Sequence, residues 1–100
     1  GCGPGALMYF LRELDVRCDG VDYSASCIPL APEEVRNRII VGSVTDVSLP
    51  ENSYDLVICR EVLEHLTLAE IIKAIRNMCR ISSRFVYCTT RFHKNPSHFL

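Results

Sequence analysis

At 100 residues, with a formal charge of −1 and 48% hydrophobic residues, the chain has room for one domain at most and the composition of an ordinary globular protein. No apolar run approaches the roughly 20 residues that span a bilayer, and no signal-peptide order of charged, apolar and small residues opens the chain. The charge balance argues against a broad phosphate-binding surface, which needs clustered Lys and Arg, so there is no strong nucleic-acid signal.

The chain opens on Gly1-Cys2-Gly3-Pro4-Gly5, a glycine-dense loop. Such loops normally follow a buried strand, turn tightly and let bare backbone lie against a nucleotide-like ligand. No strand precedes it here, so a domain truncated at its first strand is expected. From Ala6 to Leu14 the apolar residues Leu7, Phe10, Leu11 and Leu14 recur at intervals of three and four, predicting a helix with one buried face. Val16 to Val21, ending in Gly20-Val21-Asp22-Tyr23-Ser24, is predicted as a strand. Ser24 and Ser26 are candidate caps for the short helix after it, and Pro29 and Pro32 limit its length. Arg38 to Val41 predicts another strand, and residues 42–53 a polar loop. Tyr54 to Cys59 is apolar on both faces, as a buried parallel strand should be. A helical turn over Glu61–His65 and a strong amphipathic helix over Leu68–Arg80 follow, the latter with Ile71, Ile72, Ile75, Met78 and Cys79 as its core stripe and Lys73, Arg76 and Arg80 as its solvated face. Arg84 to Thr90 predicts a last strand, and residues 92–100 a loop. Strands alternating with helices predict an α/β fold with a doubly wound, Rossmann-like parallel sheet and right-handed crossovers, truncated at the first strand and after the fifth. Residues 1–100 then form one partial domain.

Six cysteines form no Cys-x-x-Cys pair and no metal-ligand spacing. Cys18, Cys59 and Cys88 lie in apolar strand-like runs, where a thiol behaves as a small hydrophobe. This pattern predicts reduced cysteines and a cytoplasmic protein rather than a disulfide framework.

Ligands of open parallel sheets sit outside the carboxyl ends of the strands. Four features fall there: the glycine loop, Asp22, the loop from Ser43-Val44 to Pro50, and Cys59-Arg60-Glu61. Gly1, Gly3 and Gly5 let backbone amides approach a ligand. Asp22 lies about twenty residues beyond the loop, where a carboxylate accepts from both hydroxyls of a ribose. Gly42 onward offers backbone groups and the apolar Val44 to a flat ring.

Together, Gly1-Cys2-Gly3-Pro4-Gly5, Gly20-Val21-Asp22-Tyr23-Ser24, residues 49–57 (Leu-Pro-Glu-Asn-Ser-Tyr-Asp-Leu-Val) and Glu61-Val62-Leu63-Glu64-His65-Leu66 resemble the class I S-adenosylmethionine-dependent methyltransferases, in the branch that methylates small molecules and includes quinone-biosynthesis enzymes. The resemblance runs from residue 1 to about 90. It implies S-adenosylmethionine as cofactor and a small-molecule acceptor. It also implies that Gly1, Cys2, Gly3 and Gly5 pack against the methionine part, that Asp22 holds the ribose diol, and that Tyr23 flanks the adenine. Ser43 and Val44 would border the adenine amine and ring, Cys59 and Arg60 would lie beside the sulfonium, and His65 would be the candidate catalytic base. The sequence departs from the family in lacking the acidic residue before the glycine loop and in carrying Ser43 where Asp is common.

Gly1-x-Gly3-x-x-Ala6 also fits the dinucleotide fingerprint of an NAD(P)-dependent oxidoreductase, and a non-catalytic nucleoside-binding relative is a further alternative. Residues 54–66, which dehydrogenases lack, favour the methyl donor. Glu61, Glu64 and His65, with His93 and His98, resemble the metal site of small-RNA 2′-O-methyltransferases. Because Glu-x-x-Glu-His-Leu is frequent in metal-free members, no metal is expected.

Overall fold

The computed structural model describes residues 1–91, so the predicted loop over 92–100, with His93 and His98, lies outside the described residues. The chain divides into two compact units, Gly1–Val44 and Thr45–Leu100.

In the first unit, α1 (Ala6–Glu13) leads to β1 (Gly20–Asp22), a 3₁₀ helix (Ala25–Leu30), α2 (Glu33–Arg36) and β2 (Ile39–Val41). β1 and β2 are parallel, with Gly20 opposite Ile39 and Asp22 opposite Val41. The strand predicted from Val16 begins only at Gly20, because the chain leaving α1 bonds back onto it. The amides of Leu14, Asp15 and Val16 donate to the carbonyls of Leu11, Arg12 and Leu11, leaving nothing there for a ladder. Ser24 caps the 3₁₀ helix, its hydroxyl accepting from the Ser26 amide, as its residue type predicts.

The core of this unit is Met8, Cys27, Ala31, Val35 and Ile39. The helix stripe expected to be buried is not: Leu7, Phe10 and Leu14 are exposed, and Met8 is the buried residue of α1. Periodicity finds the apolar side of a helix, but the helix turns inward whichever side meets a gap. Here the gap lies over Gly20, where an added Cβ would come within 2.4 Å of the Met8 sulfur and 2.8 Å of Cys2 Sγ.

The second unit contains β3 (Tyr54–Arg60), a 3₁₀ turn (Leu63–His65), α3 (Leu68–Ile81) and β4 (Ser82–Thr89). β3 and β4 are parallel, pairing Val57 with Val86, Ile58 with Tyr87 and Cys59 with Cys88. Thr67 and Glu70 form a reciprocal capping box at the start of α3, which satisfies two amides that the first turn leaves without partners. The helix buries Ala74, Asn77, Met78 and Ile81. Of the stripe predicted from Ile71 to Cys79, Ile72, Ile75 and Cys79 are exposed.

Arg80, predicted to be solvated, is half-buried: it donates to the Leu49 carbonyl at 2.7 Å and to Asn77 Oδ1 at 2.8 Å. Asn77 in turn donates to the Val47 carbonyl at 3.3 Å. Loop carbonyls with no strand partner need donors, and these two side chains supply them. β3 is apolar on both faces as predicted, yet Leu56 and Ile58, opposite Phe85 and Tyr87, are all exposed. The α/β class and parallel pairing are thus present, while the predicted continuous sheet is represented among the described residues by two parallel pairs. No helix is long and apolar enough to cross a membrane among the described residues.

Candidate functional site

In the first unit the glycine loop is fastened to the end of β1. The Cys2 amide donates to the Val21 carbonyl at 2.9 Å, and the Gly5 amide donates to the Cys2 carbonyl at 3.2 Å. Gly3 and Gly5 both lie in the left-handed region, at φ +55° and +78°, a conformation that costs glycine nothing and other residues more.

The two glycines do different work. A Cβ on Gly3 would meet nothing within 4 Å, so its bare backbone borders open space, whereas a Cβ on Gly5 would crowd Val35 at 3.2 Å. Gly3 therefore lies on the open side of the loop, its amide held by Asp22, and the buried Gly5 serves the packing beneath the loop.

Asp22 joins loop and strand. Its Oδ2 accepts from the Gly3 amide and its Oδ1 from the Ser24 amide, each at 2.9 Å. Burial alone would push this carboxyl up, but the amides of Ser24 and Gly3 outweigh it and hold the group below its ordinary value. A carboxylate offers about four lone-pair sites, so each oxygen keeps acceptor capacity after one amide. The side chain is 18% exposed, which leaves that capacity reachable.

Tyr23, next in the chain, is 82% exposed. The Gly42 amide donates to the Asp22 carbonyl at 2.9 Å, and this ladder bond carries Ser43 and Val44, both half-buried, past the end of β2. The structure thus brings Gly1, Cys2, Gly3, Asp22, Tyr23, Ser43 and Val44 to one strand-end region of the first unit.

Cys59, Arg60 and His65 belong to the second unit. Cys59 is buried at the end of β3, Arg60 is exposed beside it, and His65 is exposed at the end of the 3₁₀ turn. Burial, reinforced by the neighbouring Cys88, pushes the Cys59 thiol up to about 11. Glu61 follows β3 in a left-handed conformation, φ +55°, an uncommon place for a residue with a side chain.

By sequence, Glu61 and Glu64 enter only as part of a metal site that is not expected; in the structure each perturbs the other. Glu64 is 4% exposed and its Oε2 accepts from the Arg91 amide at 3.1 Å. No amide or hydroxyl among the described residues donates to Oε1. The neighbouring Glu64 raises the Glu61 carboxyl. Burial would raise Glu64, but Glu61 and the backbone amides prevail and lower it. Among the described residues no group of three or more His, Cys, Asp or Glu could hold a metal ion.

The methyltransferase domain family matches residues 1–87. Over 91 residues the chain is 29% identical to ajmaline N-methyltransferase of Rauvolfia serpentina, a match covering 83% of this chain and 31% of that protein. Its fold is similar to the crystal structure of the PH0226 protein from Pyrococcus horikoshii OT3, with a TM-score of 0.75 and 27% identity over 88% of this chain and 46% of the other. The chain thus spans less than half the length of either relative.

S-adenosylmethionine, the cofactor of the family the sequence resembles, fits this donor set: Asp22 has spare acceptor sites for a diol, and Gly3 borders open space beside it. The glycine loop, the strand-end aspartate and the family match over residues 1–87 lead to one conclusion: the chain belongs to the class I S-adenosylmethionine-dependent methyltransferases.

Proposed function

We propose that this chain supplies the S-adenosylmethionine-holding part of an enzyme that transfers a methyl group to a small-molecule acceptor. The single observation that carries the reading is the Asp22 carboxylate, locked between the Gly3 and Ser24 amides with acceptor capacity to spare. When bound, S-adenosylmethionine supplies an electrophilic methyl group on a positively charged sulfur.

The protein's part is to hold and align. Asp22 accepts from the ribose hydroxyls, each hydrogen bond to the charged group contributing about 1.5–3 kcal/mol. Gly1, Cys2 and Gly3 offer backbone to the amino-acid half, Tyr23 lays its exposed ring on the adenine, and Ser43 with Val44 border that ring. Fixing an acceptor in line and excluding water lowers a barrier by roughly 7–11 kcal/mol without a covalent catalyst. Cys59 and Arg60 beside the sulfonium, and His65 as a base for acceptors that must lose a proton, rest on the sequence resemblance. The Rauvolfia relative, named as an N-methyltransferase, favours nitrogen as the accepting atom.

Titration calorimetry with S-adenosylhomocysteine on the intact protein tests the assignment. Asp22→Ala is expected to weaken binding at least tenfold, about 1.4 kcal/mol, the scale of one charged hydrogen bond. Unchanged affinity refutes the role of Asp22. Tighter binding of NADH than of S-adenosylhomocysteine refutes the methyl donor.

A further inference from the structure

Cys59 and Cys88 are direct partners in the parallel ladder of β3 and β4. Adjacent strands run about 4.7–4.9 Å apart, inside the roughly 4.4–6.8 Å Cα separation that a disulfide spans. Residues opposite each other in register project from the same face of the sheet, which sets the two thiols side by side. They differ in access, Cys59 being buried and Cys88 exposed. An exposed thiol with a buried one behind it is the arrangement in which one sulfur is attacked from solvent and the other resolves the product.

We propose that Cys59 and Cys88 form a reversible dithiol–disulfide pair, oxidised by small-molecule disulfides that react first at Cys88. The Cys88 thiolate attacks one sulfur of the small disulfide, forming a mixed disulfide and releasing one small thiolate. The Cys59 thiolate then attacks the Cys88 sulfur, closing the protein disulfide and expelling the second small thiolate. The protons of the two cysteines end on the two released thiols. The pair loses two electrons, and the small disulfide gains them.

Both thiols are raised, chiefly by burial, Cys59 also feeling Cys88 and Glu64, and Cys88 also feeling Cys79. Both stay largely protonated at neutral pH, so the reaction accelerates as pH rises. The raised thiols make the exchange slow at neutral pH. The dithiol chemistry itself needs neither cofactor nor acceptor, so its test is independent of the methyl-transfer reading.

The test uses oxidised glutathione on the intact folded protein, followed by alkylation, tryptic digestion without reductant and mass spectrometry. Cleavage after Arg38, Arg60, Arg84 and Arg91 gives peptides 39–60 and 85–91, each with one cysteine. The expected product is these two peptides linked, at least roughly tenfold more abundant than any other cysteine pairing because the partners are held together. It should vanish on reduction and form faster from pH 7 to pH 9.

Cys59→Ser should stop at a single glutathione on Cys88, and Cys88→Ser should leave Cys59 unmodified. A dominant Cys79–Cys88 link, a Cys59 that reacts as fast in Cys88→Ser, or equal scrambling among all six cysteines overturns the proposal. Cys79→Ser, which removes the one nearby competitor, should leave the product and its rate unchanged.

Discussion

The two units hold their strands in opposite ways. In the first, strands of three residues rest on a small apolar core and are also tied by polar bonds that run through the candidate site: Asp22 binds the Gly3 amide, and Cys2 binds Val21. In the second, strands of seven and eight residues are backed by the 14-residue helix α3, whose buried Ala74, Met78 and Ile81 do the holding. Removing a group that binds ligand should therefore disturb the fold of the first unit, whereas in the second unit the helix residues that back the strands take no part in the proposed methyl transfer.

The sharpest way to break this comparison is Met78→Ala. Met78 is 2% exposed, and emptying such a site costs about 2–5 kcal/mol. Urea denaturation should show that loss, and hydrogen exchange should place it in β3 and β4 while the Gly3 and Ser24 amides keep their protection. Equal loosening of both units would show that the division has no energetic meaning.

Arg80→Ala comes next. Removing charged hydrogen bonds to the Leu49 carbonyl and Asn77 is expected to cost about 1.5–3 kcal/mol, read as faster proteolysis of the loop over residues 45–53. An unchanged cleavage rate would return Arg80 to the solvated face.

Gly20→Val probes the first unit, where the new side chain collides with Met8 and Cys2. Overpacking of this kind costs about 1–3 kcal/mol. It should also weaken S-adenosylhomocysteine binding, because Cys2 belongs to the glycine loop. Lost stability with full binding would separate the loop from the core beneath it.

The smallest effect concerns acid. Because the Asp22 carboxyl is held below its ordinary value, its charged form is favoured in the fold. Its stabilisation is complete above the ordinary carboxylate range and is lost as pH falls through the lower folded value, a window below about pH 4. The amide resonances of Gly3 and Ser24 should shift together in that window and stay flat in Asp22→Asn.

Much of this was legible in the chain. The alternation of elements, the glycine loop and the strand-end position of Asp22 are local patterns, and the structure joins Asp22 to Gly3. Burial was less legible, because it depends on which surfaces meet. Leu7 and Phe10 looked like core and are exposed, while Met8 is inside because Gly20, distant in sequence, leaves it room. Arg80 looked solvated because periodicity cannot see a loop that needs donors. The capping box at Thr67 and Glu70 went unread in the sequence, although Thr-x-x-Glu is its spacing signature. The mutual influence of Glu61 and Glu64 had a weaker signal, two carboxyls three residues apart.

The double bond-acceptance of Asp22 has a consequence for how this position can vary. A carboxylate takes an amide on each oxygen, whereas an asparagine has one oxygen and an NH₂ that would point a donor at another donor. A substitution nearly neutral in size would therefore free either the Gly3 end or the Ser24 end of the loop, so even the closest isostere would leave the cradle open before any cofactor arrives.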